Sequence, residues 1–307
     1  YVVDTHVGSW WDAGDAGTTT NVYKFDLGAA DAPLVAMGSV PGMTLDQFSL
    51  DEHDGLLRIA TTAGFGAASS SAVTVLAATA GRLEAVGSVS GLAPGERIYS
   101  VRFAGTRGYV STFRQIDPLF VIDLATPSAP RVTGELKVSG YSTHLLPLDD
   151  THLLGVGRDV DPVTGRDGGL QLSLFDIGDP ANPKRSATYT FGGDWGSWSP
   201  ASWDHHALGW FAEQGILALP VQETGWATDL AVFRIDIGSS EAFTRLGTIE
   251  HADSIDRSVR IGGVLYAVSW SRVTAHRLDD PAVQLAAADL SGGAGGPIAI
   301  DPIVVAF

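Results

Sequence analysis

One phrase recurs along this chain: an apolar strand that ends in Asp, followed by a corner that contains Pro. It reads Val22-Tyr23-Lys24-Phe25-Asp26-Leu27 with Pro33 behind it, then Phe120-Val121-Ile122-Asp123-Leu124 with Pro127 and Pro130. It returns as Leu174-Phe175-Asp176-Ile177 with Pro180 and Pro183, and more loosely as Val232-Phe233-Arg234-Ile235-Asp236-Ile237. Successive Asp residues lie 97, 53 and 60 positions apart. The first gap spans two periods, with Val73-Thr74-Val75-Leu76 as a degenerate copy inside it. A repeat of roughly 50 residues, made of short strands with almost no helix signal, predicts an all-β chain: a β-propeller with one four-stranded antiparallel blade per repeat.

Alternating apolar residues and turn signals divide the chain into six blade units. The first, 1–42, is incomplete, with strands Tyr1–Val7, Asn21–Leu27 and Pro33–Val40 and no innermost strand. Unit 43–91 runs through Leu45–Leu50, Leu57–Thr62, Ala72–Ala77 and Arg82–Val89. Units 92–140, 141–193, 194–252 and 253–290 repeat the plan, the innermost strands being Ile98–Phe103, Thr143–Leu148, Asp204–Phe211 and Arg257–Ile261. The incomplete first unit fits a propeller of seven or eight blades in the intact protein. Residues 291–307 carry a Gly hinge and the apolar stretches Ile298–Ile300 and Ile303–Phe307, too apolar to be solvated. Two readings of this tail stay open: a strand or plug that completes the first blade, or part of a blade whose remainder lies upstream.

The formal charge of −16 argues against nucleic acid or an anionic membrane as the main partner, because both require clustered Lys and Arg. No apolar stretch approaches the ~20 residues of a membrane span. Cysteine is absent, which excludes disulfides, thiolate metal sites and thiol nucleophiles and leaves the redox compartment open. The chain begins with Tyr1, so the natural start is expected upstream, together with any signal peptide.

Several long stretches carry a family likeness. They are Leu45-Asp46-Gln47-Phe48-Ser49-Leu50-Asp51-Glu52-His53-Asp54-Gly55, Gly91-Leu92-Ala93-Pro94-Gly95-Glu96-Arg97-Ile98-Tyr99-Ser100, Thr112-Phe113-Arg114-Gln115-Ile116-Asp117-Pro118-Leu119-Phe120, and Leu172 to Pro183. Together they resemble bacterial secreted proteins that carry a C-terminal β-propeller domain distantly related to WD40 repeats. The resemblance covers most of residues 18–270 and implies a secreted or envelope location, but no settled activity. Asp204-His205-His206-Ala207 departs from the family's Asp-His-Lys-Ala wording, and the Trp-rich loop before it is particular to this chain.

In a propeller the innermost strands line a channel, and the loops leading into them form one rim where ligands gather. Aligning those strands places Asp46-Gln47, Tyr99-Ser100, Ser142-Thr143, Asp204-His205 and Arg257-Ser258 at equivalent positions. A channel-mouth ligand site is therefore expected from Asp46, Gln47, Ser100, Thr143, Asp204, His205 and Arg257. The plainer and favoured role is hydrogen bonding between neighbouring blades and to channel water. Trp195, Trp198 and Trp203, like Trp10-Trp11, stand in Gly/Ser/Asp-rich loops, where indoles form a carbohydrate or peptide platform or cap the gap between blades. Asp204-His205-His206 is the most metal-like cluster, but neighbouring strand residues face opposite ways, so a transition metal would need His144, Asp46 or Asp51 as well.

The loop Asp159–Asp167 offers Asp159, Asp161 and Asp167 as oxygen ligands for Ca²⁺, the best single cofactor expectation, but the EF-hand pattern fails and a solvated acidic turn is the favoured explanation. The repeated Asp26, Asp123, Asp176 and Asp236 are expected to accept backbone N–H bonds in their turns. No Gly-x-Ser-x-Gly, His-Glu-x-x-His or phosphate-binding Gly loop occurs.

The sequence thus predicts a secreted or cell-surface, non-catalytic propeller that binds an extracellular protein, peptide or glycan. Two other readings are weighed against it. One is an extracellular hydrolase or lyase acting on a polymer through Asp46, Asp204 and His205. The other is a structural subunit of a surface assembly, with an N-terminal remainder or a homo-oligomer as partner.

Overall fold

The computed structural model describes residues 1–7, 17–113, 117–192 and 196–290. It divides into two compact units: Tyr1–His205 with Asp236–Phe243, and His206–Ile235 with the described residues from Thr244 to Leu290. Twenty-three strands and five single-turn 3-10 helices make up the regular structure among the described residues. Each sheet is an antiparallel meander whose strands pair in chain order, as the repeat predicts.

In the first unit, β1 (Val2–His6), β2 (Thr19–Phe25) and β3 (Leu34–Pro41) form the three-stranded opening sheet. β4 (Leu50–His53), β5 (Leu56–Ala63), β6 (Ser70–Thr79) and β7 (Arg82–Leu92) form the second. These two are joined, where separate blades were expected, by one parallel bridge between Met37 and Arg82. The third sheet comprises β8 (Arg97–Ala104), β9 (Arg107–Phe113), β10 (Asp117–Asp123) and β11 (Arg131–Val138). The fourth comprises β12 (Tyr141–Pro147), β13 (His152–Val160), β14 (Asp167–Asp176) and β15 (Lys184–Thr190). Most of the second unit is two further sheets. One is β16 (Gly209–Phe211), β17 (Ile216–Val221), β18 (Asp229–Ile235) and β19 (Phe243–Ile249); the other is β20 (Ile255–Ile261), β21 (Val264–Ser269), β22 (Arg272–Arg277) and β23 (Gln284–Asp289).

The packing explains why the middle strands read as continuous apolar runs. On β10, Phe120 and Ile122 join a core with Val73 and Val75 of the preceding sheet and Val110 of their own, while Leu119 and Val121 join another with Leu145, Leu153 and Phe175 of the following sheet. On β5, Ile59 and Ala60 likewise serve different cores. Successive residues of a strand face opposite ways, and here both faces are buried. In the second unit one core draws on two sheets, with Leu230 and Val232 beside Leu265 and Ala267.

The Asp-and-Pro phrase has two separate physical roles. Oδ1 of Asp26, Asp123 and Asp176 accepts the backbone N–H two residues on at 2.9 Å, and Asp236 does so at 3.2 Å, as expected for capped turns. The Pro corners pack onto glycines of the sheet before. A Cβ on Gly87 of β7 would stand 2.8 Å from Pro130 Cδ, and one on Gly134 of β11 would stand 2.8 Å from Pro183 Cδ. In the second unit a Cβ on Gly247 of β19 would stand 2.9 Å from Pro281 Cγ.

Two expected strands are corrected. Leu45–Leu50 is not a strand: Gln47–Ser49 forms a 3-10 turn and the strand begins at Leu50. Asp204–Phe211 likewise contains a 3-10 turn, His205–Ala207, before the short β16. The polar residues at both places cap or form turns, and alternation alone did not separate that from a strand. The tail 291–307 and the indoles Trp10, Trp11 and Trp195 lie outside the described residues. Among the described residues no helix is long and apolar enough to cross a membrane.

Candidate functional site

The turn at Gln47–Ser49 builds the first wall of a recess that lies wholly in the first unit. Asp46 Oδ1 accepts the Phe48 N–H at 2.9 Å, and Ser49 Oγ accepts the Asp46 N–H at 3.3 Å. This reciprocal capping box fixes the chain where no regular helix follows. The Gln47 side chain reaches His205, its amide nitrogen 3.2 Å from both ring nitrogens and donating to whichever is unprotonated.

Phe48 is the hub. The edges of two imidazoles meet its ring, His205 at 5.0 Å and His144 at 5.2 Å between centroids, and the Arg102 guanidinium lies 4.7 Å from its centre. Thr143 and His144 come from β12. Consecutive strand residues normally face opposite ways, but the register of β12 shifts between Ser142 and His144, and this bulge lets both line the recess. The remaining wall is the loop before β16. Ser199 Oγ accepts the Ala201 N–H at 3.1 Å, and the Trp203 and Asp204 N–H groups close onto the Pro200 carbonyl at 3.0 and 2.8 Å. That turn sets Ala201, Ser202 and Trp203 on the recess and stacks Trp203 on Trp198, with centroids 5.5 Å apart and planes 23° from parallel.

The resulting cavity has a volume of about 200 Å³. Burial, with the electrostatic effect of Arg102 and His205 added, lowers the His144 pKa to about 4, so its ring is neutral at pH 7. Asp46 keeps some exposed surface, yet crowding of its carboxyl raises its pKa against the lowering effect of the Phe48 and Ser49 N–H groups. Burial lowers the Arg102 pKa, opposed by the charges of Asp51 and Asp46.

Of the residues expected at a channel mouth, Asp46, Gln47, Thr143 and His205 line this recess together, and Trp203 of the expected aromatic loop joins them with Trp198 stacked behind. Ser100 does not line it: buried on β8, it donates to the Ser142 carbonyl at 2.8 Å, the blade-linking role favoured for such groups. Arg257 belongs to the second unit, exposed on β20. Asp204 stands beside the recess without lining it. Because His205–Ala207 is a turn and not a strand, the opposite-face argument fails there. The ligating atoms of the consecutive residues Asp204, His205 and His206 lie within 4.8 Å of one another.

The Asp159–Asp167 loop is the β13–β14 hairpin. Asp161 Oδ1 accepts the Val163 and Thr164 N–H groups at 2.9 and 2.7 Å, and Asp167 pairs with Arg158 at 2.7 Å. Calcium there would have to share Asp167 with that arginine. A Ser/His/Asp set that sequence reasoning missed occurs in the second unit. Ser269 Oγ donates to Asp253 at 2.8 Å and lies 2.9 Å from His251 Nδ1. Ser269 is buried, and Asp253 also holds the Ser271 N–H at 2.8 Å, so the set clasps the β21–β22 loop.

Residues 1–281 match the family model described as a β-propeller domain. The chain belongs to that family. The propeller domain is 37% identical over 266 residues to an uncharacterized protein of Methanocaldococcus jannaschii, covering 87% of this chain and 39% of that one. It is 40% identical over 207 residues to an uncharacterized protein of Archaeoglobus fulgidus, covering 67% of this chain and 30% of that one. It therefore spans well under half the length of these curated relatives. Both are archaeal, so the bacterial and secreted associations of the sequence resemblance do not come from them. The crystal structure of Saccharomyces cerevisiae Sqt1 is similar at a TM-score of 0.52 and 10% identity, over 88% of this chain and 67% of that one, a likeness of fold alone.

Proposed function

We propose that this propeller domain is a secreted or cell-surface interaction scaffold that holds a ligand in the recess around Phe48 and does no chemistry on it. The observation that carries this reading is how the recess uses its ionisable groups. Asp46 commits Oδ1 to a turn cap, Gln47 engages His205, and His144 is neutral and packed edge-on against Phe48. Residues delivered from three separate chain segments make a shaped polar recess, the arrangement of a binding site.

The rival reading, a hydrolase or lyase acting on a polymer, draws on Asp46 and His205 lining one recess. Binding screens against glycans and peptides, run beside hydrolase and lyase assays on polysaccharides and esters, separate the two. The scaffold reading expects saturable binding that weakens in Gln47→Ala and no turnover. Turnover that disappears in both Asp46→Asn and His205→Ala would replace it with the enzyme. The extracellular location rests on the sequence resemblance, and fractionation of cells expressing the whole protein tests it.

A further inference from the structure

The recess also indicates what class of ligand it takes, an inference that rests on the binding reading above. Its volume of about 200 Å³ falls below the ~300–1,000 Å³ of sites for drug-sized molecules, so it admits one ring or one side chain. Around it opposite charges stand together: Asp46 contributes a carboxylate, Arg102 is a cation against Phe48 close enough to feel Asp46, and His144 is uncharged at neutral pH, while His205 on the same wall is engaged with Gln47. An anion would meet the Asp46 carboxylate and a cation would have to share it with Arg102, so a charged ligand would leave water without a counter-charge of its own, which is costly. A neutral ligand rich in hydroxyls meets no such penalty.

The polar groups suit hydroxyls in particular. The Asp46 carboxylate accepts, the Gln47 amide both donates and accepts, and Ser202 brings a hydroxyl that does both. Thr143, also on the recess wall, already donates to the Val156 carbonyl at 3.2 Å, so its oxygen is left only the role of acceptor. Beside these stands an aromatic platform. Trp203 is 70% exposed yet fixed in orientation by its stack on Trp198. One face of a pyranose ring is a patch of C–H groups, slightly positive, and an indole face is electron-rich, so the two stack while the equatorial hydroxyls stay free to hydrogen-bond. A peptide side chain would use either the platform or the polar wall; a sugar ring uses both.

We propose that the recess binds the terminal uncharged pyranose residue of a glycan, its ring on Trp203 and its hydroxyls on Asp46, Gln47 and Ser202. The test is calorimetry and tryptophan fluorescence on the expressed chain with maltose, cellobiose, mannobiose and chitobiose. Oligogalacturonate and Lys- or Tyr-containing tripeptides form the comparison arms. The expected result is saturable binding of at least one neutral disaccharide. Trp203→Ala should weaken it about tenfold or more. Trp226→Ala and Trp270→Ala, which remove exposed indoles of the second unit, should leave it unchanged. Because Trp203 is exposed, its truncation should not disturb folding, and circular dichroism checks this.

Absence of binding to all four neutral sugars overturns the inference, as does binding that survives Trp203→Ala. Binding of tripeptides alone overturns the glycan class and leaves the scaffold reading standing. Cleavage of the sugars would instead overturn the scaffold reading itself.

Discussion

His144 shows what one buried side chain costs and where that cost appears. Its ring is 8% exposed, packs against Phe48, and has its pKa lowered from 6.5 to about 4. Above pH 6.5 the ring is neutral whether the chain is folded or unfolded, and it adds no pH dependence. Between 6.5 and 4 the unfolded chain takes a proton that the folded chain refuses, so acidification drains stability across that window. The full effect is on the order of 3 kcal/mol, reached near pH 4. Asp46 acts in the opposite direction, since its raised pKa lets the folded form take a proton first. Urea unfolding of the wild type and of His144→Gln, at about pH 7 and about pH 4.5, isolates the histidine, because the Asp46 contribution is common to both. The wild type should lose more stability than the variant on acidification, and parallel losses would refute the assignment. At this scale part of the site was legible in the sequence. Asp46, Gln47, Thr143 and His205 were aligned at equivalent places of the repeat and meet at one recess, although Ser100 and Arg257, aligned with them, do not reach it. Phe48 as the hub was not legible: strand alternation offered no sign of the 3-10 turn around it, nor of the bulge that brings His144 in beside Thr143.

At the scale of elements, the recurring Pro corner joins neighbouring sheets. It sits against the fourth strand of the sheet before, at a glycine: Gly87 faces the Pro127–Pro130 corner and Gly134 faces the Pro180–Pro183 corner. The β15 position in register with these is Ala187, opposite Leu174 as Gly134 is opposite Val121, and the next copy of the phrase, after Asp236, carries no Pro. Glycine thus stands where a Pro corner must close on the backbone. A methyl group on Gly134 would press on the Pro180 carbonyl and stand 2.8 Å from Pro183 Cδ, so Gly134→Ala is expected to cost roughly 1–3 kcal/mol by overpacking. Gly192, where an added methyl would meet nothing within 4 Å and the backbone is not left-handed, is the control and should change stability by less than about 0.5 kcal/mol when made Ala. Equal effects in urea unfolding would show that backbone entropy, and not the close approach, sets the cost. The strands themselves were legible because β10 and β14 alternate residues between two cores and so read as unbroken apolar runs. Their glycine partners were not legible, because a single Gly in a strand does not announce which neighbour approaches it.

Across the whole molecule, charge dominates. Thirty-five acidic side chains against nineteen Lys and Arg leave −16, and several of the cations are already committed within the fold. Arg58 is buried against Asp51, Arg158 pairs with Asp167 and Arg245 with Glu223. The surface left over is acidic, and like charges on a folded chain repel at distances comparable to the Debye length, about 8–10 Å at physiological salt. Raising NaCl from about 20 to about 300 mM should therefore raise the melting temperature, because screening relieves repulsion that the unfolded chain spreads over a larger volume. The same balance predicts that single- and double-stranded DNA are not retained in a gel-shift assay at low salt, the condition most favourable to phosphate binding. Both measurements bear on ligand class. If the melting temperature fell with salt, local ion pairs such as Arg58–Asp51 would outweigh the net field. DNA retention that disappeared on raising the salt would reveal a clustered basic face on this acidic chain, and a polyanion would then have to replace the neutral glycan as the ligand to seek.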